Sequence, residues 1–272
     1  VILPTPTYAS YIEQILLAGG VPVQVPLDET WELALELLQK AVTPKTRAIM
    51  LCNPGNPTGT VFPDDQVLQL CELAVQHNFV VITDEAYDYM VYDGESPVSP
   101  LSRDRFRDHV ISVYSLSKKY AMTGWRVGWA AAGEDWMSQI MKVHDASTIC
   151  SPTPSQHAAL AALKGDQECV GEMKKRLAER RSVCRTRLDR LSDFFSYVPP
   201  QGAFYVMARY HFTDAPSRDV AVRLVEEAGV VTIPGGGFGT GGEGHLRLSF
   251  GGEPQEIHEA FDRIERWIPD TF

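Results

Sequence analysis

The chain has 272 residues, 44% hydrophobic and 22% charged, the profile of a globular protein with a real core rather than a disordered one. Its 25 Lys and Arg against 35 Asp and Glu give a formal net charge of -10. That balance disfavours nonspecific binding to nucleic acid and to anionic membranes, and leaves a small anionic substrate open, because one or two local arginines decide that.

Val1 falls inside what reads as a strand, and the first two thirds of the chain then alternate short β-branched runs with amphipathic ones. Val21–Val25 reads as a strand, Thr30–Lys40 as a helix, Arg47–Leu51 as a strand, Asp64–His77 as a helix and Phe79–Thr83 as a buried strand. Val110–Tyr114 and Val127–Ala132 are short enough for further strands. This alternation predicts an α/β layer with a mostly parallel sheet, whose ligands sit at the carboxyl ends of the strands. From Gln167 to about Phe195 the pattern is one long arginine-rich helix. Glu172, Glu179 and Asp189 interrupt its basic run, so a solvated connecting helix is expected rather than a nucleic-acid face. Beyond it, an apolar run Ala203–Ala208, a helix Arg218–Ala228, strands Val230–Ile233 and Leu246–Ser249, and a helix Pro254–Ile268 make a small α+β unit. The expected division is 1–165 and 166–272.

The five cysteines, Cys52, Cys71, Cys150, Cys169 and Cys184, are scattered and form no CxxC pair, so they read as reduced, mostly core thiols. No HxH or HxxxH cluster exists among the seven histidines, and no metal site is expected. No signal peptide and no apolar run of bilayer-spanning length is present, which makes a cytoplasmic location and no membrane partner the expectation.

Four segments that come after strands, or lie within one, carry polar groups that composition does not explain. Asn53-Pro54-Gly55-Asn56-Pro57-Thr58-Gly59 is a rigid turn that either aims Asn56 into a cleft or lies at the surface. Asp84, at the end of a buried run and leading into Glu85-Ala86-Tyr87, needs a partner: a cationic ring nitrogen, or backbone N–H groups if it caps a helix. In Ser115-Leu116-Ser117-Lys118-Lys119 a partly desolvated lysine would be an amine nucleophile, with serines and Arg126 suited to a phosphate, unless these are two surface lysines. Arg247, inside the apolar strand of His245-Leu246-Arg247-Leu248-Ser249, calls for a carboxylate from the protein or from a substrate. Gly237-Phe238-Gly239-Thr240-Gly241-Gly242 matches GxGxxG but precedes a strand rather than a helix, so a nucleotide role is not expected.

Together Asn56-Pro57-Thr58-Gly59, Asp84-Glu85-Ala86-Tyr87, Ser115-Leu116-Ser117-Lys118, Arg126, Pro200-Gln201-Gly202-Ala203-Phe204-Tyr205 and His245-Leu246-Arg247-Leu248-Ser249 resemble, in order and spacing, the fold-type I aminotransferases of the aspartate aminotransferase superfamily (class I/II). The resemblance runs essentially the whole chain. It implies a pyridoxal 5'-phosphate (PLP) dependent transferase fold: a mostly parallel large domain of seven-stranded type and a smaller α+β C-terminal domain. It implies Lys118 as the Schiff-base lysine, Asp84 on the pyridinium nitrogen, Tyr87 and Asn56 on the phenolate oxygen, and Ser115 and Arg126 on the phosphate. Tyr8 would stack on the ring and Arg247 would hold the substrate α-carboxylate. The implied reaction moves an amino group from an L-amino acid to a 2-oxo acid in a homodimer. A PLP-dependent C–S β-lyase, or the PLP-binding sensor domain of a transcription regulator, would carry the same residues. Members of that family also have a segment ahead of the point where Val1 falls, which supplies part of the phosphate cup and the dimer contacts. The expectation is therefore that this chain is a fragment, weakly active or inactive alone, of an active longer enzyme.

Overall fold

The computed structural model describes residues 1–271. The first half of the chain builds a sheet from β1 (Ile2–Thr5), β2 (Val23–Pro26), β3 (Ala48–Cys52), β4 (Val80–Asp84), β5 (Val110–Ser115) and β6 (Gly128–Ala132), in the order β2-β1-β3-β4-β5-β6. All neighbouring pairs are parallel except β5 with β6, which is antiparallel. The central strands are apolar on both faces, as strands between two helical layers must be: Ile49, Leu51, Val81 and Val110 are buried on one face and Ala48, Val80 and Ile111 on the other. The described residues thus supply six strands where the resemblance implies a seven-stranded type. β2 and β6 are the edges, and no further described segment pairs with either.

Helix α3 (Asp64–His77) shows how the sequence dictates this layer. Val67, Leu70, Cys71 and Ala74 recur at helical spacing, and all are buried against the β3 and β4 side chains. Asn78 ends the helix with φ 54°, a left-handed conformation that asparagine tolerates. Helices α1 (Ser10–Leu17), α2 (Leu35–Ala41), α5 (Glu134–Ser147) and α6 (Thr153–Lys164) complete this half.

The second half builds an antiparallel sheet from β7 (Phe195–Tyr197), β8 (Tyr205–Tyr210), β9 (Ile233–Pro234) and β10 (His245–Ser249), ordered β7-β8-β10-β9. Helices α7 (Glu168–Arg190), α8 (Ser217–Ala228) and α9 (Pro254–Thr271) accompany it. They share a core in which Leu188, Val206, Leu224, Leu246, Phe261 and Ile264 are buried. Each such side chain contributes about 1.5–3 kcal/mol by leaving water.

Three expectations are corrected. The helix expected from Thr30 begins only at Leu35, because the Asp28 carboxylate accepts from the backbone N–H groups of Thr30 and Glu32 and holds a turn there, with Trp31 at φ 62°. The long helix α7 stops at Arg190, and Phe195 joins β7 opposite Tyr210. Nor is α7 merely solvated: Arg181 and Arg187 are 6% and 5% exposed. Arg181 donates to the Pro200 carbonyl at 2.6 Å and pairs with Asp93, while Arg187 pairs with Asp262 at 2.6 Å and Glu265 at 2.8 Å. Their guanidinium groups lie over Tyr92 and Phe261, a placement that lysine would not reproduce. Three cysteines are core and two, Cys150 and Cys169, are exposed, all as free thiols. Among the described residues no helix is long and apolar enough to cross a membrane.

Candidate active site

The carboxyl ends of β3, β4 and β5 open onto a cleft of about 420 Å³, closed on its far side by β8 and β10. Tyr8, Asn56, Asp84, Tyr87, Ser115, Lys118, Arg126 and Arg247 all line it, so every residue singled out from the sequence is brought to one place.

The loop after β3 is buried, not a surface turn. The Asn53 side chain accepts from Phe62 N–H at 2.9 Å and donates to its carbonyl at 3.4 Å, while Gly59 N–H donates to the Gly55 carbonyl. Gly59 has φ 71°, and a Cβ there would strike Pro200 and the Tyr205 carbonyl, so glycine is required. The peptide bonds before Pro54 and Pro57 are cis. Asn56, 5% exposed, accepts from Arg247 Nη1 at 3.0 Å, which leaves its amide nitrogen free to donate into the cleft.

At the end of β4, Asp84 Oδ1 accepts from Ala86 N–H at 3.0 Å and Oδ2 from the Tyr11 hydroxyl at 2.6 Å. The backbone contact closes a turn rather than capping a helix. Burial raises the Asp84 pKa, and these two hydrogen bonds oppose the rise. Among the described residues no cation lies within ion-pair distance of it. Tyr87 is buried with its hydroxyl 3.3 Å from that of Tyr205, and burial pushes it far up, so it stays a neutral phenol able to donate.

Ser115 caps the short helix α4 (Leu116–Lys119) by accepting from Ser117 N–H at 3.1 Å. The turn separates the two lysines. Lys118 faces the cleft with Nζ 5.5 Å from the Phe204 ring centre, whereas Lys119 turns to Asp88 at 3.9 Å and to the Tyr89 ring. Arg126, in a left-handed conformation with φ 52°, is exposed at the rim and donates to the Thr123 carbonyl.

From the opposite wall, Arg247 lies against Tyr205 and Phe238, 4.4 Å and 5.0 Å from their ring centres. Its Nε is buried without a partner, and among the described residues no carboxylate is within ion-pair distance. Burial lowers its pKa. The glycine-rich run is used for docking: Thr7 N–H donates to the Phe238 carbonyl, and Thr240 N–H to Gln24 Oε1. Tyr11 and Tyr205 were not singled out from the sequence as site residues. Tyr11 sits at a core position of an amphipathic helix, and only the packing of α1 beside β4 shows where its hydroxyl goes.

This donor set fits PLP. It offers a desolvated carboxylate without a cation, neutral phenol and amide donors, an amine, and serine with arginine for a phosphate, and PLP would meet each of these demands in a cleft of suitable size. Fold and site together define a PLP-dependent transferase. The profile of the family "Aminotransferase class I and II" matches residues 1–264, and the chain belongs to that family. It is 37% identical to aromatic-amino-acid aminotransferase 2 of Thermococcus litoralis, over 99% of this chain and 70% of that protein. It is 36% identical to the aspartate aminotransferase of Pyrococcus abyssi, over 98% of this chain and 69% of that one. The crystal structure of an aromatic aminotransferase from Pyrococcus horikoshii superposes with a TM-score of 0.94 at 36% identity, covering 99% of this chain and 73% of that one. The Thermus thermophilus aspartate aminotransferase with maleate superposes with a TM-score of 0.91 at 33% identity, covering 97% and 69%. The protein is a PLP-dependent aminotransferase that acts on small amino and 2-oxo acids.

Proposed function

We propose that Lys118 carries the cofactor and moves the proton in amino transfer between an L-amino acid and a 2-oxo acid. The observation that carries this reading is that Lys118, Asp84 and an arginine without a carboxylate partner, Arg247, face one cleft. PLP, when bound, supplies a sink for the electron pair left as the substrate Cα–H bond breaks. The chain's own groups do the rest. Asp84 accepts from the ring N–H and so holds the proton at that nitrogen. Tyr87 and the Asn56 amide donate to the ring oxygen, Ser115 and Arg126 receive the phosphate, and Tyr8 covers the ring face. Arg247 takes the α-carboxylate in a two-point contact that orients the Cα–H bond, and the Lys118 amine collects the proton. The relatives' names support an aspartate-like or aromatic donor, with a 2-oxo acid such as 2-oxoglutarate as acceptor. Within the same reading the working form is a cytoplasmic homodimer. Residues 1–165 act as the cofactor domain, and 166–272 as connecting helix and small domain.

The test is to incubate the protein with PLP, reduce with borohydride and map the modified peptide by mass spectrometry. A phosphopyridoxyl group on Lys118, absent from Lys118→Ala, is expected. An adduct on Lys119 or spread over surface lysines overturns the assignment.

A further inference from the structure

Asp84 is held by a residue that has no part in the amino transfer proposed for Lys118. Tyr11 lies on α1, is 2% exposed, and donates its hydroxyl to Asp84 Oδ2 at 2.6 Å. Its ring also meets Tyr8 edge-on, with centres 5.4 Å apart and planes at 82°. One side chain therefore touches both the carboxylate proposed for the ring nitrogen and the ring proposed to cover the cofactor's face.

We propose that Tyr11 is a positioning residue that keeps Asp84 ionised and aimed, and through it keeps the cofactor's ring nitrogen protonated. The proposal rests on the proposed roles of Asp84 and Lys118.

A carboxylate inside a protein stays charged only where donors replace the water it has lost. Asp84 has two, the Ala86 N–H on Oδ1 and the Tyr11 hydroxyl on Oδ2. The first is backbone and is fixed by the turn. Among the described residues the second is the one side-chain donor to Asp84, so it is where the chain sets the strength of the base. Of the neighbouring acids, Glu85 works against ionisation of Asp84 through its charge, which adds to the demand on these two donors. Cys52 lies opposite Asp84 in the β3–β4 register, and burial pushes its thiol up, which keeps it neutral. Glu85 accepts from the Thr83 and Ser99 hydroxyls, both at 2.8 Å. Tyr11 is itself raised well above an ordinary phenol by burial first, then by Cys52 and Asp84, so it remains a donor across the working pH range. A charge-assisted bond of this kind, short and largely enclosed, is worth about ten- to a hundredfold in an equilibrium constant. Without its phenol, Asp84 would keep one donor and retreat toward its neutral form. A neutral Asp84 cannot hold the ring proton, and the cofactor's capacity as an electron sink would fall.

The experiment uses the full chain loaded with PLP carrying 15N at the ring nitrogen. The nitrogen's NMR shift is read in the wild type, Tyr11→Phe, Asp84→Asn and the double variant, with cofactor release rate and borohydride trapping on Lys118 measured for each. Phenylalanine keeps the ring that supports Tyr8 and removes only the donor. The expected result is a protonated-type shift in the wild type, an unprotonated one in Asp84→Asn, and a Tyr11→Phe shift displaced toward the latter, with cofactor release faster by about tenfold. In the Asp84→Asn background, Tyr11→Phe should change nothing further. A Tyr11→Phe protein with the wild-type nitrogen shift, or one equally impaired in the Asp84→Asn background, overturns the proposal and shows a packing role only. Should Tyr11→Phe fail to fold, the wild type decides. A slowly exchanging low-field Tyr11 hydroxyl proton that disappears in Asp84→Asn supports the proposal, and its absence overturns it. A wild type without a Lys118 adduct overturns the functional reading itself, so the two failures are distinguishable.

Discussion

Arg187 on α7 is buried and Arg247 on β10 half-buried; both lie against aromatic rings, and both leave Nε buried without a partner. They differ at the other end of the guanidinium. Arg187 reaches Asp262 and Glu265, two carboxylates of the neighbouring helix α9, whereas among the described residues Arg247 hydrogen-bonds to the neutral oxygen of Asn56 and to no carboxylate. A desolvated cation whose counter-charge belongs to the protein is a structural clamp between helices. One without any counter-charge lowers the stability of the ligand-free protein and keeps its strongest interaction for an anion that arrives from solution. The difference is invisible in the residue type and resides wholly in what lies within reach.

The contrast makes opposite predictions for the two sites. Arg247→Met should raise the KM for an amino-acid substrate on the order of a hundredfold, because the two-point carboxylate contact proposed for Arg247 would be lost. The unfolding temperature of the same variant without ligand should stay level or rise. A clear fall in that temperature, measured by calorimetry, would show that Arg247 is a structural clamp like Arg187. The converse variant, Asp262→Ala with Glu265→Ala, strands the buried Arg187 and should lower stability in denaturant titration, by less than for a fully buried pair because the carboxylates are partly exposed. Its KM should match the wild type.

A smaller effect sharpens the point at the start of α8. Glu243, from the loop before β10, accepts from Ser217 N–H at 2.6 Å and from its hydroxyl at 3.0 Å. The Ser217 N–H is the chief reason that its pKa is lowered. A lowered carboxyl pKa contributes stability that is present above the ordinary glutamate range and is lost as pH falls through the lowered value. Glu243→Gln should therefore cost under about 1 kcal/mol at neutral pH, since the group is exposed and screened, and the wild-type advantage should vanish in acid. A difference that persists unchanged at low pH would mean that the carboxylate charge is not what matters at this helix end.

Much of this molecule is legible in the sequence for a local reason. Val67, Leu70, Cys71 and Ala74 announce α3 by spacing, and the paired faces of β3 and β4 require long apolar runs. Asp84 at the end of such a run and Lys118 just beyond another stand out because an ionisable group beside a buried strand needs a partner. The failures are equally local in origin. Thr30–Lys40 has helical spacing, but the Asp28 side chain takes its first turn away. Of the expected strand Val230–Ile233, only Ile233 enters the ladder, where it is joined by its neighbour Pro234.

Residue order alone dictates the list of chemical parts and the layers that carry them, because periodicity and burial are written residue by residue. Packing in three dimensions selected which parts meet. It turned Lys118 toward the cleft and Lys119 toward Asp88, set Tyr11 against Asp84 across 73 positions, and joined Asn56 to Arg247 across 191. It also gave carboxylates to Arg187 and, among the described residues, none to Arg247. Contacts at such separations depend on how whole elements pack, and an arginine's surroundings, not its identity, set whether its charge holds the fold together or waits for a substrate.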